Sequence, residues 1–286
     1  MRRSLDTAVH TEMEPNKPNR RGRAVSILAV VIVAVSLSLA ASGIAIWLTQ
    51  GSSKQQDVGH KLYDGYTYER KNVNGIMLHA IVTEPQKITL DVIHGNVSTS
   101  PYYGINGGFF YNGSLLSIAV INDQPVGGKP NDYGSGYVNM KVPRGTLVWD
   151  GIDKTLSVQV VSRADELKVS DRDHYWAQGG ISMSLSDEQL WRKQLEKELA
   201  PMPDEERLRS AAVYDTKGTL YLIVSQTKTT LANFRSAIKE AFGPLEDGIF
   251  LDGDGSSQLH AYEAALPGDG RPVEQIIRLK KPDESR

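Results

Sequence analysis

Short apolar runs bounded by glycine, proline or asparagine recur through the chain after residue 65. Runs of about four to eight residues with such boundaries are typical of β-strands. The pattern predicts strands at residues 75–82, 88–93, 115–121, 145–149, 156–161, 211–214, 220–224, 248–251 and 273–279. The first two follow one another closely in the sequence, so we expect them to pair.

Two segments have the periodicity of a helix instead. Residues 186–199 alternate charges of opposite sign, and Ser186 and Gln189 have the spacing of a capping box, which predicts a solvated helix. Residues 231–242 carry apolar side chains at three- and four-residue intervals and end before a Gly-Pro pair, which predicts a helix packed on the sheet. The whole pattern predicts an α+β fold: a single domain over residues 66–280, rich in mixed β-sheet, with a few packed helices.

The N-terminal part contains an apolar run of another kind. Residues 24–48 carry no charge and exceed the roughly 20 residues that span a bilayer. Three arginines stand just before this run, so the positive-inside rule places the N-terminus in the cytoplasm. We therefore expect, around the domain, a cytoplasmic segment at 1–23, a transmembrane signal anchor at 24–49, a stalk at 50–65 and a tail at 281–286.

This organisation predicts a single-pass protein of the cell membrane whose C-terminal domain is extracellular. A cleaved signal peptide is the alternative, because Ala40-Ala41-Ser42-Gly43 offers the small residues that a signal peptidase prefers. The long polar segment before the apolar run favours the uncleaved anchor. Both interpretations place the domain outside the cytoplasm.

Charge and composition narrow the choice of partners. The chain has 32 basic and 34 acidic residues, a net charge of −2, so no global field draws it to nucleic acid. It has no cysteine, which excludes disulfides, thiolate metal sites and a cysteine nucleophile. We expect contact with the membrane through the N-terminal helix and none with nucleic acid, while nothing in the pattern specifies an oligomeric state.

Glycines beside polar or aromatic residues recur in three segments. Glycine allows a positive φ or a close approach of two chains, so glycine pairs at strand ends predict loops gathered around one pocket. A single pair is more typical of an ordinary turn. The three segments are Ile105-Asn106-Gly107-Gly108-Phe109-Phe110, Ala177-Gln178-Gly179-Gly180 and Leu251-Asp252-Gly253-Asp254-Gly255-Ser256-Ser257.

The third segment is the richest in chemistry, because a predicted strand ends there in two carboxylates and two hydroxyls. A calcium loop is one alternative, in which positions 1, 3, 5 and 12 of an EF-hand would be Asp252, Asp254, Ser256 and Glu263. That register fails at position 6, where Ser257 replaces the required glycine. A serine hydrolase elbow is disfavoured as well, since neither serine stands in a Gly-x-Ser-x-Gly frame.

The three segments and one strand start share their order and spacing with a known family. The residues concerned are Asn106-Gly107-Gly108-Phe109-Phe110, Gln178-Gly179-Gly180, Arg209-Ser210-Ala211 and the run from Leu251 to Ser257. Over about residues 75–262 they resemble the phosphodiester glycosidase family. Two departures stand out: Asp254 replaces a glycine of the family's Asp-Gly-Gly-Gly-Ser sequence, and Ile181 replaces a proline. The charged helix at 186–199 also looks like an insertion.

The resemblance implies an extracytoplasmic hydrolase that splits a sugar from a sugar-1-phosphodiester of a cell-surface glycan or polymer. Asp252 would be the catalytic carboxylate, activating water or stabilising an oxocarbenium-like transition state, and Arg209 would clamp the phosphate. A phosphomonoester with a second pKa of about 6 leaves readily, so one carboxylate suffices. The candidate substrate-binding residues are Asn106, Gly107, Gly108, Phe110, Gln178, Gly179, Gly180, Gly253, Asp254, Ser256 and Ser257.

Within this set, the backbone and the polar side chains have separate implied roles. The amides of Gly107, Gly108 and Gly253 would donate hydrogen bonds to the phosphate. Asn106 and Ser256 would orient the hydroxyl groups of the sugar.

Plainer alternatives stay open for several of these residues. Arg209 could pair with Glu205 or Glu206, and Asn106 could satisfy the backbone of a turn. His260 follows the third segment closely and is the histidine to test for a role in the site.

The resemblance implies no cofactor and no metal, with a divalent cation near Asp252 and Asp254 as the alternative. A different functional class is also open: a non-catalytic glycan-binding or envelope polysaccharide assembly domain of the same fold. A binding module has no need of both a phosphate clamp and a poised carboxylate, so Arg209 and Asp252 together favour the enzyme.

Overall fold

The fold is known from a computed structural model that describes residues 65–284. The predicted cytoplasmic segment, the membrane anchor and nearly all of the stalk lie outside the described residues. Within residues 65–284, no helix combines the length and the hydropathy needed to span a bilayer. The two α-helices of this range are α1 (Glu188–Lys197) and α2 (Leu231–Phe242).

The strands in the same range are short and numerous. They are β1 (Tyr66–Val73), β2 (Ile76–Thr83), β3 (Ile88–Gly95), β4 (Gly104–Asn106), β5 (Phe110–Tyr111), β6 (Ser114–Leu115), β7 (Ala119–Ile121), β8 (Gln124–Pro125), β9 (Arg144–Asp150), β10 (Thr155–Val161), β11 (Tyr175–Gly179), β12 (Ile181–Ser182), β13 (Ser210–Asp215), β14 (Leu220–Ser225), β15 (Leu245–Phe250), β16 (Leu259–His260), β17 (Ala265–Leu266) and β18 (Val273–Leu279).

These strands form three large sheets and one short hairpin. The first sheet has six strands in the order β1-β2-β14-β13-β15-β12, and the second has five in the order β10-β9-β11-β7-β8. The third has the order β17-β16-β4-β18-β3, and β5 pairs with β6 alone. The paired strands are antiparallel. Sheets with two helices fit the predicted α+β class.

The six-stranded sheet is buried on both faces, as β13 shows. Consecutive side chains of a strand point to opposite faces, so its residues alternate between two cores. Ala212 and Tyr214 pack into a core shared by the three large sheets, whereas Ala211 and Val213 pack in the core that contains α2. Double burial explains why this strand reads as a continuous apolar run.

The helix α2 spans the predicted residues 231–242, and Leu231, Phe234 and Ile238 bury its apolar face in the core that contains Ala211. The helix α1 is solvated, as predicted, and of its residues only Trp191 is buried. The predicted capping box is wrong by one position. The N-cap is Asp187, whose Oδ1 accepts hydrogen bonds from two backbone N–H groups of the first turn at 2.9 and 2.8 Å.

Two of the predictions about strands are wrong. The strands predicted at 75–82 and 88–93 form, as β2 and β3, but β2 pairs with β1 and β14 whereas β3 pairs with β18. The run at 115–121 divides into β6 and β7, which belong to different sheets. Local periodicity does not predict either result, because the strand with which each strand pairs is decided by contacts between residues distant in sequence.

Candidate active site

A cavity of about 420 Å³ opens at the carboxyl end of β15. Six parts of the chain form it: the β5 hairpin, β12, the loop between α1 and β13, the first residue of α2, the end of β15 with the loop after it, and the turn before β18. Its lining residues are Phe109, Phe110, Tyr111, Asn112, Ile181, Pro201, Met202, Arg207, Arg209, Leu231, Phe250, Leu251, Asp252, Gly253, Asp254, Ser256 and Arg271. The predicted third segment therefore lies on the cavity wall, as its strand-end position suggested.

Asp252 stands two residues after β15, and its backbone is held on both sides. Its N–H donates to the carbonyl oxygen of Gly107 at 3.3 Å, and its own carbonyl accepts from Asn106 Nδ2 at 2.8 Å. The carboxylate Oδ1 accepts from the N–H of Gly253 at 3.1 Å. The acidic side chain is thus fixed to the loop rather than free to swing.

Burial raises the pKa of Asp252 to about 6. The side chain is only partly exposed and is surrounded by protein, so its charged form loses hydration. Hydrogen bonds from Ser256 and from the backbone of Gly253, with the charge of Arg271, oppose that shift, whereas Asp254 adds to it. A carboxyl with this pKa exchanges protons near neutral pH, which suits a general base.

Asp254 occupies a left-handed backbone position, with φ of +55°. Glycine has no steric penalty there, and aspartate is among the few other residues that tolerate it. The backbone at this position therefore accepts aspartate, asparagine or glycine. The N–H of Asp254 donates to the carbonyl oxygen of Leu208 at 2.8 Å, which ties this loop to the strand start before β13.

The Asp254 carboxylate lies between two arginines that line the cavity. Its Oδ2 is 3.3 Å from Nη1 of Arg207 and 4.0 Å from Nη2 of Arg271. Each arginine also has an outer carboxylate: Arg207 Nη2 lies 2.6 Å from Glu205 Oε2, and Arg271 Nε donates to Asp269 at 2.9 Å. The Asp254 carboxylate thus has one guanidinium group on each side of it in the cavity.

Arg209, the predicted phosphate clamp, lines the cavity, and two of its guanidinium nitrogens donate to backbone carbonyls of the wall. Its guanidinium is buried, and Nε donates to the carbonyl oxygen of Thr229 at 3.0 Å while Nη2 donates to the carbonyls of Met202 and Glu205. Burial lowers the pKa of Arg209 to about 10, with the nearby charge of Arg207 acting in the same direction. The predicted pairing with Glu205 involves the backbone carbonyl, not the carboxylate.

The first predicted glycine segment is divided: Phe109 and Phe110 line the cavity, whereas Asn106, Gly107 and Gly108 lie behind its wall. The N–H of Gly107 and that of Gly108 both donate to Gln275, at 3.0 and 3.1 Å, so neither amide is directed at a ligand. Asn106 is buried, and its Oδ1 accepts from Ser210 Oγ at 2.8 Å and from the N–H of Gln258 at 3.1 Å. These three residues do not line the cavity, because their polar groups are used to join strands.

The second predicted segment connects β11 to β12. Gln178 is fully buried and accepts a hydrogen bond from Gln275 at 2.5 Å. The N–H of Gly179 donates to Ile118 O at 2.6 Å, and that of Gly180 donates to Gly145 O at 2.8 Å. None of the three lines the cavity. Their place is where the chain passes from β11 of the second sheet to β12 of the first.

The remaining predicted residues divide in the same way. Phe110, Gly253 and Ser256 line the cavity, but the Gly253 amide already donates to Asp252. Ser257 is buried and does not line it, and within the described residues its hydroxyl has no hydrogen-bond partner. His260 does not line it either. Its Nδ1 lies 3.1 Å from the carbonyl oxygen of Tyr102.

The charges around Asp254 bear on the alternative of a divalent cation. Within residues 65–284 no group of three or more histidine, aspartate or glutamate side chains is placed to hold a metal ion. Two guanidinium groups face the Asp254 carboxylate and would repel a cation there. The lining of the cavity contains arginines and aromatic rings.

Comparisons with known proteins bear on the fold. The chain is similar to the structure of the zebrafish N-acetylglucosamine-1-phosphodiester α-N-acetylglucosaminidase catalytic domain auto-inhibited by pro-peptide. The identity is 14%, the TM-score is 0.54, and the match covers 79% of this chain and 84% of that one. The two domains share a related fold. At this identity the similarity extends no further than the fold.

Other comparisons add little. A hypothetical protein from Synechocystis is 14% identical with a TM-score of 0.42, and the match covers 76% of this chain and 62% of that one. No protein-family model matches the sequence, and no curated protein sequence matches it.

Sequence reasoning missed the two arginines that flank Asp254. Arg207 ends an acidic loop, and Arg271 stands in a turn within the C-terminal stretch, so neither belongs to a glycine pair or a strand end. The local signal that could have found Arg271 is the turn Gly268-Asp269-Gly270, which resembles the third segment in composition. The apolar wall was also missed in part, since Pro201, Met202 and Leu231 come from segments predicted only as a loop and a helix.

Proposed function

We propose that this chain is a hydrolase that cleaves a sugar from a sugar-1-phosphodiester. The observation that carries the proposal is the placement of Asp252 with Arg207 and Arg271 around one cavity. A carboxylate beside two guanidinium groups suits a substrate in which an anomeric carbon is joined to a phosphate. The related fold of a phosphodiester glycosidase domain supports the same class of reaction.

Asp252 acts on the attacking water in this reaction. Its carboxylate accepts a proton as the water oxygen bonds to the anomeric carbon. The bond between that carbon and the bridging oxygen breaks, and its electron pair stays on the phosphomonoester that leaves. The pKa of about 6 leaves Asp252 largely ionised at pH 7 to 8, where it is ready to take the proton.

Arg207 and Arg271 hold the phosphate and stabilise the charge that develops on the leaving group. The structure supports these two arginines over Arg209, whose Nε and Nη2 are committed to backbone carbonyls. Arg209 instead keeps the loop around Met202 and Glu205 in place beside the cavity. Phe110 and Tyr111 provide aromatic faces against which a sugar ring can stack.

The proposed setting is outside the cytoplasm, at the surface of the cell membrane. It rests on the uncharged run at residues 24–48 and the arginines before it. The proposed substrates are accordingly carbohydrate phosphodiesters of the cell surface, and the membrane is a partner through one N-terminal helix.

The test is to incubate the full-length chain with a synthetic sugar-1-phosphodiester, or with UDP-N-acetylglucosamine, in ¹⁸O-labelled water. Attack at the anomeric carbon places the label in the released sugar. Asp252→Asn removes the base and should lose sugar release. Glu246→Gln is the matched control, because Glu246 is an exposed carboxylate on β15, the strand that leads to Asp252, and does not line the cavity.

Two outcomes would contradict the proposal. Label in the phosphate would mean that the bond between phosphorus and oxygen breaks, so the chain would not be a glycosidase. No turnover by the unmodified chain, with sugar-phosphate binding that is unchanged in Asp252→Asn, would instead favour the non-catalytic glycan-binding domain.

A further inference from the structure

The position of Asp254 bears on which phosphates can enter the cavity. Its Oδ2 lies between the two guanidinium groups, 3.3 Å from Arg207 Nη1 and 4.0 Å from Arg271 Nη2. A phosphate oxygen held by the same two arginines would occupy much the same place. Asp254 therefore competes with an incoming phosphate for its partners.

The charges around the cavity strengthen this competition. Arg207 and Arg271 are each bound by a further carboxylate, so their positive charges are already largely compensated. The positive groups are Arg207, Arg209 and Arg271, and the negative groups are Asp252, Asp254, Glu205 and Asp269. With Asp252 ionised, the negative charges exceed the positive charges by one. An anion that enters this site meets repulsion in proportion to its own charge.

We infer that Asp254 is a specificity-determining residue that admits the monoanion of a phosphodiester and excludes the dianion of a phosphomonoester. The inference rests on the proposed function, since it concerns the phosphate of the same cavity. A phosphodiester carries one negative charge, whereas a phosphomonoester carries about −1.5 to −2 at pH 7. Asp254 thus both selects the substrate and promotes release of the phosphomonoester product.

The backbone of Asp254 offers two variants that should keep the loop intact. Its φ of +55° is adopted readily by asparagine and glycine. Asp254→Asn keeps the shape of the side chain and removes its charge, and Asp254→Gly removes the side chain altogether. Agreement between the two variants would separate the effect of the charge from any effect of folding.

The experiment measures binding of two simple anions to the full-length chain at pH 8 by ³¹P NMR titration. Inorganic phosphate is the dianionic probe, and dimethyl phosphate is the monoanionic one. Asp254→Asn and Asp254→Gly should each shift the ratio of the two dissociation constants towards inorganic phosphate by about tenfold. Glu246→Gln removes a negative charge away from the cavity and should leave the ratio unchanged.

The inference is overturned if both variants leave the ratio unchanged, or if neither anion binds any of the proteins. Because binding is measured without turnover, this result is independent of the ¹⁸O experiment. A shifted ratio without sugar release would retain Asp254 as a selector of anions and reject the reaction. Sugar release with an unshifted ratio would reject the role of Asp254 alone.

Discussion

The two glycine pairs behind the cavity and the glycine-rich loop on its wall look alike in sequence but differ in what surrounds them. A Cβ atom added at Gly180 would lie 2.2 Å from the carbonyl oxygen of Phe250, and one at Gly107 would lie 2.2 Å from Gln275 Oε1. A Cβ atom at Gly253 would approach no closer than 3.1 Å, to Leu208 O. Packing requires glycine at residues 107 and 180, whereas at Gly253 an added methyl group would meet a single tight contact.

The packed region nevertheless determines where the acid lies. Asn106 donates to the carbonyl oxygen of Asp252 at 2.8 Å, and the N–H of Asp252 donates to the carbonyl oxygen of Gly107 at 3.3 Å. A buried amide that is fully hydrogen-bonded is rigid, because every alternative position leaves a polar group unsatisfied. Asn106 and Gly107 therefore support the site from behind its wall.

The largest expected effect of any change is on catalysis, through Asp252. Loss of a positioned general base typically lowers a rate by 10²- to 10⁴-fold, so we expect a fall of about that size in the rate of sugar release by Asp252→Asn. In the unmodified chain the same rate should decline as the pH falls through about 6, because protonation of Asp252 removes the base. Steady-state assays from pH 4.5 to 8.5 measure both.

Asn106→Asp offers a comparison within the packed region. It leaves the Asp252 side chain in place and changes only the group that holds its backbone. If this variant retained the full rate while Asp252→Asn did too, neither the acid nor its support would be needed, and the assignment of the cavity as a catalytic site would be wrong.

The next largest effect is expected in the packed region, on stability. An alanine methyl at Gly180 meets a backbone carbonyl of β15, which cannot move without shifting the strand. Overpacking of this severity should lower the free energy of unfolding by about 3 kcal/mol or more. Urea unfolding, followed by circular dichroism, measures the difference.

Gly218→Ala is the matched control for Gly180→Ala. Gly218 has a φ of +82° but nothing within 4 Å of the added methyl group, so only conformational strain of about 1 kcal/mol is expected. Equal losses in the two variants would mean that close packing is not what requires glycine at residue 180.

The contrast between the two regions also explains what the sequence could predict. The helix at 231–242 and the strand at 273–279 are confirmed to the residue, because each has a complete apolar period and clear boundaries. Asp252, Asp254 and Ser256, which line the cavity, could be predicted to do so because they closely follow a strand. These are features that a short stretch of chain determines by itself.

Arg271 could not be found in this way. It enters the cavity only because the turn that precedes it packs on the third segment, where a Cβ atom at Gly255 would lie 2.1 Å from Asp269 Oδ2. Such contacts join residues that are far apart in sequence, and no local period records them. The same limit applies to Asn106, whose amide reads as a ligand-binding group but is used within the protein.

The third effect, of up to about 3 kcal/mol, is a change with pH in the free energy of unfolding, caused by the ionisation of Asp252. Well below pH 3.8 Asp252 is protonated in both the folded and the unfolded chain. As the pH rises from 3.8 to about 6, the unfolded chain loses this proton first, so the folded state loses stability relative to it. Asp252→Asn lacks the penalty and should become more stable than the unmodified chain between pH 4 and pH 7.

Urea unfolding of both proteins at pH 4 and pH 8 measures this difference. Glu246→Gln, which removes an exposed carboxylate, controls for the change in net charge. A gap between Asp252→Asn and the unmodified chain that is the same at both pH values would show that burial does not perturb Asp252.

The smallest effect is expected for Gly253→Ala, which tests the comparison from the side of the loop. The φ of Gly253 is −112° and its ψ is −158°, an extended backbone that alanine also adopts. The added methyl would lie 3.1 Å from Leu208 O, a tight contact that costs about 1 kcal/mol or less. It would also lie 3.9 Å from Arg209 Nη1, on the wall of the cavity.

We therefore expect urea unfolding of Gly253→Ala close to that of the unmodified chain but weaker binding of the sugar phosphodiester. A loss of stability as large as that of Gly180→Ala would show that the loop is as closely packed as the region behind it.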